Sequence, residues 1–246
     1  MGSEMCIRDS SRASRIGSGS VTNAPPTSPI QATVASVRSG SSARNPRGSS
    51  FRLRGSRGSG PASAVEHAGG RLVEMAVQLP GAERIFRVVR GLGFRQLGRD
   101  DIPADRHGEL KATIRENIAF GETITVDDIV EVERLRVVLH RHVRELFREV
   151  DVLALPTTQV APFPADQEYP SEVAGVTMPD YLGWMMSCCV ITATECPAIS
   201  IPAGFTADGL PVGLQLVAAP GCDRQLLEVA AAIETAAPHH HRVPAC

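Results

Sequence analysis

The sequence predicts an α/β protein, because amphipathic helical patterns alternate with short apolar runs along its length. The clearest helical pattern spans 126–149, where apolar residues recur at intervals of three and four. The runs at 152–155 and 198–201 end at prolines, which is typical of buried strands. With 43% hydrophobic residues, the 246-residue chain can form a real core.

The first part of the ordered chain is predicted to be helical. A weak helical pattern at 64–77 contains two adjacent glycines, and regular spacings of apolar residues predict helices at 82–97 and 109–120. Helix 126–149 is preceded by Thr125, a good N-cap residue. Its first turn holds two aspartates, where the helix dipole favours negative charge.

The second part is predicted to alternate strands and helices. After the first strand, a proline-rich loop precedes a helix at 180–189. The strand at 198–201 is followed by the turn signal Ala207-Asp208-Gly209 and by a third strand at 212–217. Asp223 is predicted to cap a last helix. Strands interleaved with helices in this way define the α/β class.

Charge and composition divide the chain at about residue 60. The net charge is −2, yet residues 1–60 carry nine arginines, 15 serines, 8 glycines and 4 prolines. Such a composition forms little core, so 1–60 is interpreted as a low-complexity basic segment that is disordered or a gene-call artefact. Residues 5–10, Met-Cys-Ile-Arg-Asp-Ser, resemble the translation of a sequencing adapter. The alternative is a natural flexible arm, and 61–246 is the predicted domain.

Counts of single residue types exclude several functions. Lys111 is the only lysine, which excludes a Walker phosphate loop. The six cysteines form no C-x-x-C pair, so no metal site is expected, and a reducing, cytoplasmic compartment fits best. No signal peptide or membrane span is predicted, because the longest apolar stretch, 181–205, is interrupted by a glutamate and two prolines. His239-His240-His241 are interpreted as a solvated tail rather than metal ligands.

Three motifs follow one another in a fixed order. Residues 151–158 are Asp-Val-Leu-Ala-Leu-Pro-Thr-Thr, and 197–217 are Pro-Ala-Ile-Ser-Ile-Pro-Ala-Gly-Phe-Thr-Ala-Asp-Gly-Leu-Pro-Val-Gly-Leu-Gln-Leu-Val. A helical pattern then follows Cys222. This ordered set resembles the C-terminal half of the amidase signature family, the alternative being a generic hairpin in an unrelated α/β protein. The resemblance implies that 61–246 is the C-terminal part of an amidase domain, with a mixed sheet core and flanking helices.

The resemblance also implies a reaction, the hydrolysis of carboxylic amides by a Ser–cis-Ser–Lys triad without metal or cofactor. A neutral lysine draws a proton through the bridging serine, the second serine attacks the amide carbon, and water cleaves the acyl-enzyme. The family's Gly-Gly-Ser-Ser-Gly-Gly-Ser motif is missing from this sequence. Ser39–Ser42 and Gly48–Ser50 resemble only fragments of it, with no lysine upstream. No catalytic residue is therefore assigned, and this chain is expected to be inactive alone, whereas a full-length parent acts on a small-molecule amide.

By the same resemblance, five residues are expected to form one wall of the acyl pocket: Tyr181, Trp184, Met185, Cys188 and Thr192. A pocket of this kind is mostly apolar with a few polar groups. The alternative interpretation is that Met185 and Cys188 are ordinary core residues.

Two further functions stay open. One is a component similar to the first, amide-hydrolysing chain of a glutamine-dependent tRNA amidotransferase, but Trp184 stands where that subfamily tends to have an acidic residue, and Glu116 and Asn117 replace its basic pair. The other is a non-catalytic binding module with a basic N-terminal arm at 38–57. Binding of nucleic acid is not expected, because glutamates balance the arginines of helix 126–149. No membrane partner is expected, and the sequence makes no prediction of oligomeric state.

Overall fold

The computed structural model of the protein describes residues 30–36, 65–66 and 68–239. Its strands are β1 (Ile30–Ser36), β2 (Arg71–Val77), β3 (Val152–Pro156), β4 (Glu172–Val173), β5 (Val176–Thr177), β6 (Ala198–Phe205) and β7 (Pro211–Ala218). Its α-helices are α1 (Ala82–Gln96), α2 (Ala112–Thr123), α3 (Val126–Glu149), α4 (Met186–Thr192) and α5 (Asp223–Ala236). Short helical turns lie at Leu97–Asp101, Ala104–Glu109 and Gly183–Met185. The predicted α/β class is confirmed, as are the helices predicted at 82–97, 109–120 and 126–149.

Five strands form one sheet in the order β2–β1–β3–β7–β6, and β4 pairs with β5 in a separate ribbon. Every pairing among these strands is antiparallel, whereas the family resemblance implied a mixed sheet. Short connections explain part of the difference. The predicted turn Ala207-Asp208-Gly209 joins β6 directly to β7, with Gly209 at φ 81°, and a tight turn can only join antiparallel neighbours.

The sheet is covered on both faces, which explains why its central strand is apolar throughout. On β3, Val152 and Ala154 belong to a buried cluster with α5. Leu153 and Leu155 belong to a second cluster on the opposite face, with residues of α3 and α4. Because successive side chains of a strand point to opposite faces, a strand covered on both sides needs no polar alternation. A third cluster joins α1, α3 and α4.

The first two long helices, α1 and α2, approach closely through glycine. A Cβ atom placed on Gly121 of α2 would lie 2.3 Å from the carbonyl oxygen of Gly91 of α1 and 3.0 Å from the backbone nitrogen of Arg95. Real Cβ atoms do not approach backbone atoms so closely, so the packing of these helices depends on a missing side chain.

The helix predicted at 64–77 is wrong over most of its length. The chain forms β2 instead, and Gly69, at φ 83°, separates that strand from the helical residues 65–66. Leu72 and Val77 are buried on opposite faces of the sheet. Pairing with β1 therefore decides the conformation of a stretch whose helical pattern was weak.

Two other helices begin elsewhere than predicted. The helix predicted at 180–189 starts as a turn at Gly183, because the Asp180 carboxylate accepts the backbone N–H groups of Leu182 (2.9 Å) and Gly183 (3.1 Å). The N-cap of α5 is Cys222 rather than Asp223. Asp223 lies in the first turn, where its charge still complements the helix dipole.

Strand β1 lies in the segment 1–60, for which no regular element was predicted. Its Cα atoms pair with β2 and β3, so that Val34 stands opposite Val73 and Leu153. The β-branched residues of this strand favour the extended backbone. The rest of 1–60 lies outside the described residues, so its interpretation as disordered or artefactual stays a prediction.

No helix within the described ranges is both long enough and apolar enough to cross a membrane.

The start of α3 is fixed by a capping box, as the N-cap at Thr125 predicted. The Thr125 hydroxyl accepts the backbone N–H of Asp128 at 3.2 Å, and the Asp128 carboxylate accepts the backbone N–H of Thr125 at 2.7 Å. Hydrogen bonds from the Thr125 side chain and backbone, together with the Arg84 guanidinium, lower the pKa of Asp128 from 3.8 to about 2.

We expect the capping box to lose its contribution to stability as the pH falls from about 4 to about 2. A carboxyl group whose pKa is lower in the folded chain stabilises it above the unfolded pKa and ceases to do so below the folded one. The measurement is the Tm of the full chain between pH 5 and pH 2, compared with that of Asp128→Asn. The variant should have a lower Tm at pH 5 and a shallower pH dependence. Asp127→Asn, outside the capping box, is the control, and parallel curves for all three proteins would contradict the assignment.

Candidate functional site

Four aromatic side chains gather around the start of α4. Phe163 and Trp184 lie with ring centroids 5.4 Å apart, Tyr169 and Tyr181 5.8 Å apart, and Tyr181 and Trp184 6.4 Å apart, each pair edge to face. The chain has one tryptophan and two tyrosines, so all three lie in this cluster. Edge-to-face contacts are favourable beyond the area that they bury, and they hold the rings in fixed relative positions.

An ion pair holds this aromatic cluster against α1. Nη1 of Arg87 donates to the Asp180 carboxylate at 2.6 Å, and Nε of Arg87 donates to Glu83 at 2.8 Å. Burial raises the pKa of Asp180, but the hydrogen bonds from Arg87 and from the backbone outweigh it, so that the pKa lies below its ordinary 3.8. The same carboxylate therefore caps the helical turn that carries Trp184 and ties it to α1.

The structure brings the five predicted pocket-wall residues onto one continuous surface. Tyr181 and Trp184 are in ring contact, while Met185, Cys188 and Thr192 follow at intervals of three and four, which places them on one helix face. The Cys188 thiol donates to the Met185 carbonyl at 2.9 Å. Thr192 is exposed, whereas Met185 and Cys188 are partly buried. That these residues contact a substrate stays a prediction.

A polar notch lies on the sheet face that carries α4. The hydroxyls of Thr157, just after β3, and Ser200 of β6 are 2.7 Å apart. They meet above Gly213 of β7, where a Cβ atom would lie 2.6 Å from one hydroxyl and 2.8 Å from the other. Gln159 links the same loop to α4 by accepting the backbone N–H of Ser187 at 3.0 Å. Sequence reasoning missed this notch, and the glycine inside a predicted strand was its available signal.

A pocket of about 340 Å³ adjoins the aromatic cluster. Its walls come from α1, from the start of α2 and from the segment that ends at Tyr181. The lining side chains that carry charge or a polar group include Arg90, Lys111, Thr113, Asn117, Gln167 and Glu168. The sequence analysis singled out Lys111 as the only lysine, but nothing in the sequence pattern indicated that Arg90 lies near it.

The remaining candidates are not brought to this site. The serine runs at 39–42 and 48–50 lie outside the described residues, as do His240 and His241. Within the described ranges, no group of three or more His, Cys, Asp or Glu side chains is placed to hold a metal ion.

Comparison with known proteins identifies the class of this α/β fold. The family model "Amidase" matches residues 97–227, which is more than half of the chain. The chain belongs to the amidase family.

Two curated relatives illustrate how widely the family varies. The chain is 32% identical over 136 residues to a fatty acid amide hydrolase of Medicago truncatula, a match covering 54% of this chain and 22% of the relative. It is 32% identical over 142 residues to an acylamidase of Rhodococcus erythropolis, covering 57% of this chain and 30% of the relative. The chain thus spans less than a third of the length of these two relatives.

A third relative belongs to an amidotransferase. The chain is 33% identical over 119 residues to a component of the glutamyl-tRNA(Gln) amidotransferase of Dehalococcoides mccartyi (strain ATCC BAA-2266 / KCTC 15142 / 195). This match covers 47% of this chain and 22% of the relative.

A solved structure supports the same fold. A bacterial aryl acylamidase of the amidase signature family superposes with a TM-score of 0.53 at 24% identity, covering 63% of this chain and 33% of that one. The expected amidase-signature fold is thereby confirmed.

Proposed function

We propose that this chain is the C-terminal part of an amidase whose catalytic triad lies on a segment N-terminal to it. The reaction is the addition of water across a carboxylic amide, which yields a carboxylic acid and an amine. The two serines and the lysine supply the acyl-enzyme route. This chain contributes part of the sheet and one wall of the acyl pocket, formed by Tyr181, Trp184, Met185, Cys188 and Thr192.

One combination of observations carries the proposal. The family match covers 97–227, yet the sequence lacks the Gly-Gly-Ser-Ser-Gly-Gly-Ser motif that provides both serines. The single lysine, Lys111, is exposed at the start of α2, and a catalytic lysine must instead be kept neutral by burial. The chain alone is therefore proposed to be inactive towards amides.

The relative of the tRNA amidotransferase type supports a second candidate, a component of such an amidotransferase. Against it, Trp184 packs in the aromatic cluster at the place where that subfamily tends to have an acidic residue, and its indole cannot pair with the ammonium group of glutamine. Copurification of other amidotransferase components with the full chain would favour this candidate over a general amidase.

The decisive test is long-read sequencing of the genomic locus upstream of the codon for Pro61. We expect an in-frame lysine followed by Gly-Gly-Ser-Ser-Gly-Gly-Ser. A locus that encodes residues 1–60 as they stand would overturn the proposed parent enzyme. As a biochemical counterpart, the full chain should release no p-nitroaniline from p-nitroacetanilide and should not react with a fluorophosphonate probe. Labelling of a serine would contradict the proposed inactivity of the chain alone.

A further inference from the structure

The pocket beside the aromatic cluster has an excess of positive charge. Arg90 and Lys111 both line it, and neither forms an ion pair with a carboxylate within the described residues. One acidic side chain, Glu168, also lines it and accepts the Thr113 hydroxyl at 3.4 Å. Two cations against one anion favour a negatively charged ligand.

Arg90 is held in position for such a ligand. Its guanidinium carbon lies 4.6 Å from the ring centroid of Phe94 and 5.9 Å from that of Phe86. Its Nε donates to the Asn117 side-chain oxygen at 3.3 Å, and the Asn117 side-chain nitrogen donates to the Thr113 carbonyl at 2.6 Å. These contacts leave its two terminal Nη groups without a hydrogen bond to any described residue. Paired N–H donors of a positioned guanidinium match the two oxygens of a carboxylate.

The remaining walls indicate what the carboxylate is attached to. The rings of Phe94 and Tyr181 line the pocket, and Tyr181 is itself fixed by edge-to-face contacts with Tyr169 and Trp184. A volume of about 340 Å³ lies at the lower end of the range of small-molecule sites. Aromatic walls beside a cationic one suit a compact ligand that combines an aromatic body with an anionic group.

We infer that this pocket binds a small aromatic carboxylate, with Arg90 and Lys111 on its carboxylate and Tyr181 beside its ring. If the chain belongs to an amidase as proposed above, the site selects amides that carry a free carboxylate on an aromatic group. That second statement rests on the proposed function, whereas binding itself does not.

The test is equilibrium dialysis of the full chain against radiolabelled benzoate, with unlabelled benzamide as the neutral competitor of the same shape. We expect one saturable site for benzoate and a Kd for benzamide at least about tenfold higher, because a hydrogen-bonded charge is lost. Arg90→Gln and Lys111→Gln should each raise the Kd for benzoate about fivefold or more. Glu168→Gln should lower it by removing a like charge. Arg106→Gln, an exposed arginine paired with Glu109, is the matched control and should leave the Kd unchanged.

Several results would overturn the inference. These are the absence of saturable benzoate binding, equal binding of benzamide, displacement of benzoate by equimolar inorganic phosphate, or a Kd that Lys111→Gln leaves unchanged. Lys111 is exposed, so its variant should keep the circular dichroism spectrum of the parent chain and remain informative if Arg90→Gln unfolds. Because dialysis requires no turnover, benzoate binding can hold even if the upstream locus encodes no triad. Conversely, the triad can be found while benzoate fails to bind.

Discussion

Replacing Gly121 with alanine should cost the chain roughly 3 kcal/mol of unfolding free energy, near the upper end of the usual range for overpacking. The new Cβ atom would lie 2.3 Å from the carbonyl oxygen of Gly91. A backbone atom cannot rotate away as a side chain can, so α1 and α2 must move apart. Alanine also raises helix propensity by up to about 1 kcal/mol relative to glycine, which offsets only part of the cost.

The matched control is Gly93→Ala on α1. Gly93 is exposed, and a Cβ atom there would have no neighbour within 4 Å. This variant should therefore gain up to about 1 kcal/mol from helix propensity alone. Urea denaturation of the full chain, followed by circular dichroism, measures both variants. Changes of the same sign and size would show that helix propensity, and not the contact between α1 and α2, decides the outcome at Gly121.

Local signals sufficed to predict the helices and strands that tertiary contacts do not override. Thr125 and its two following aspartates located the start of α3, and the continuous apolar run of β3 followed from its burial on both faces. The stretch 71–77 shows the limit. Its spacing fitted a weak helix, but pairing with β1 makes it a strand. The partner lies about 40 residues earlier in a segment of low-complexity composition, so no local pattern could have indicated that contact.

The candidate site divides along the same line. Tyr181, Trp184, Met185, Cys188 and Thr192 are close in sequence, so that one helix face and its preceding turn place them together. The pocket unites side chains from three separate segments, and the position of Arg90 depends on Asn117, 27 residues away. The notch of Thr157, Ser200 and Gly213 depends on sheet register. Such groupings arise only once the sheet and the helices have packed, and spacing along the chain does not reveal them.

The second large effect is expected at Leu139, whose side chain is completely buried. It lies in the cluster that joins α1, α3 and α4, together with Ile85 and Val190. Leu139→Ala removes the buried side-chain methyl groups and leaves a cavity that three packed helices can close only in part. Substitutions of this kind cost about 2–5 kcal/mol. Val137→Ala, two residues earlier on the same helix, is the control, because Val137 is 61% exposed and its change should stay within about 0.5 kcal/mol.

The fluorescence of Trp184 extends this test from stability to the site. Val190 anchors α4 in the same buried cluster as Leu139, and α4 follows directly on the turn that carries Trp184. As the cavity loosens α4, the emission of the single tryptophan should shift to longer wavelength before the helical circular dichroism signal is lost in a urea titration of Leu139→Ala. In Val137→Ala the two transitions should coincide. Coincident transitions in Leu139→Ala, at a reduced midpoint, would show instead that α4 and the α1–α3 cluster unfold as one unit.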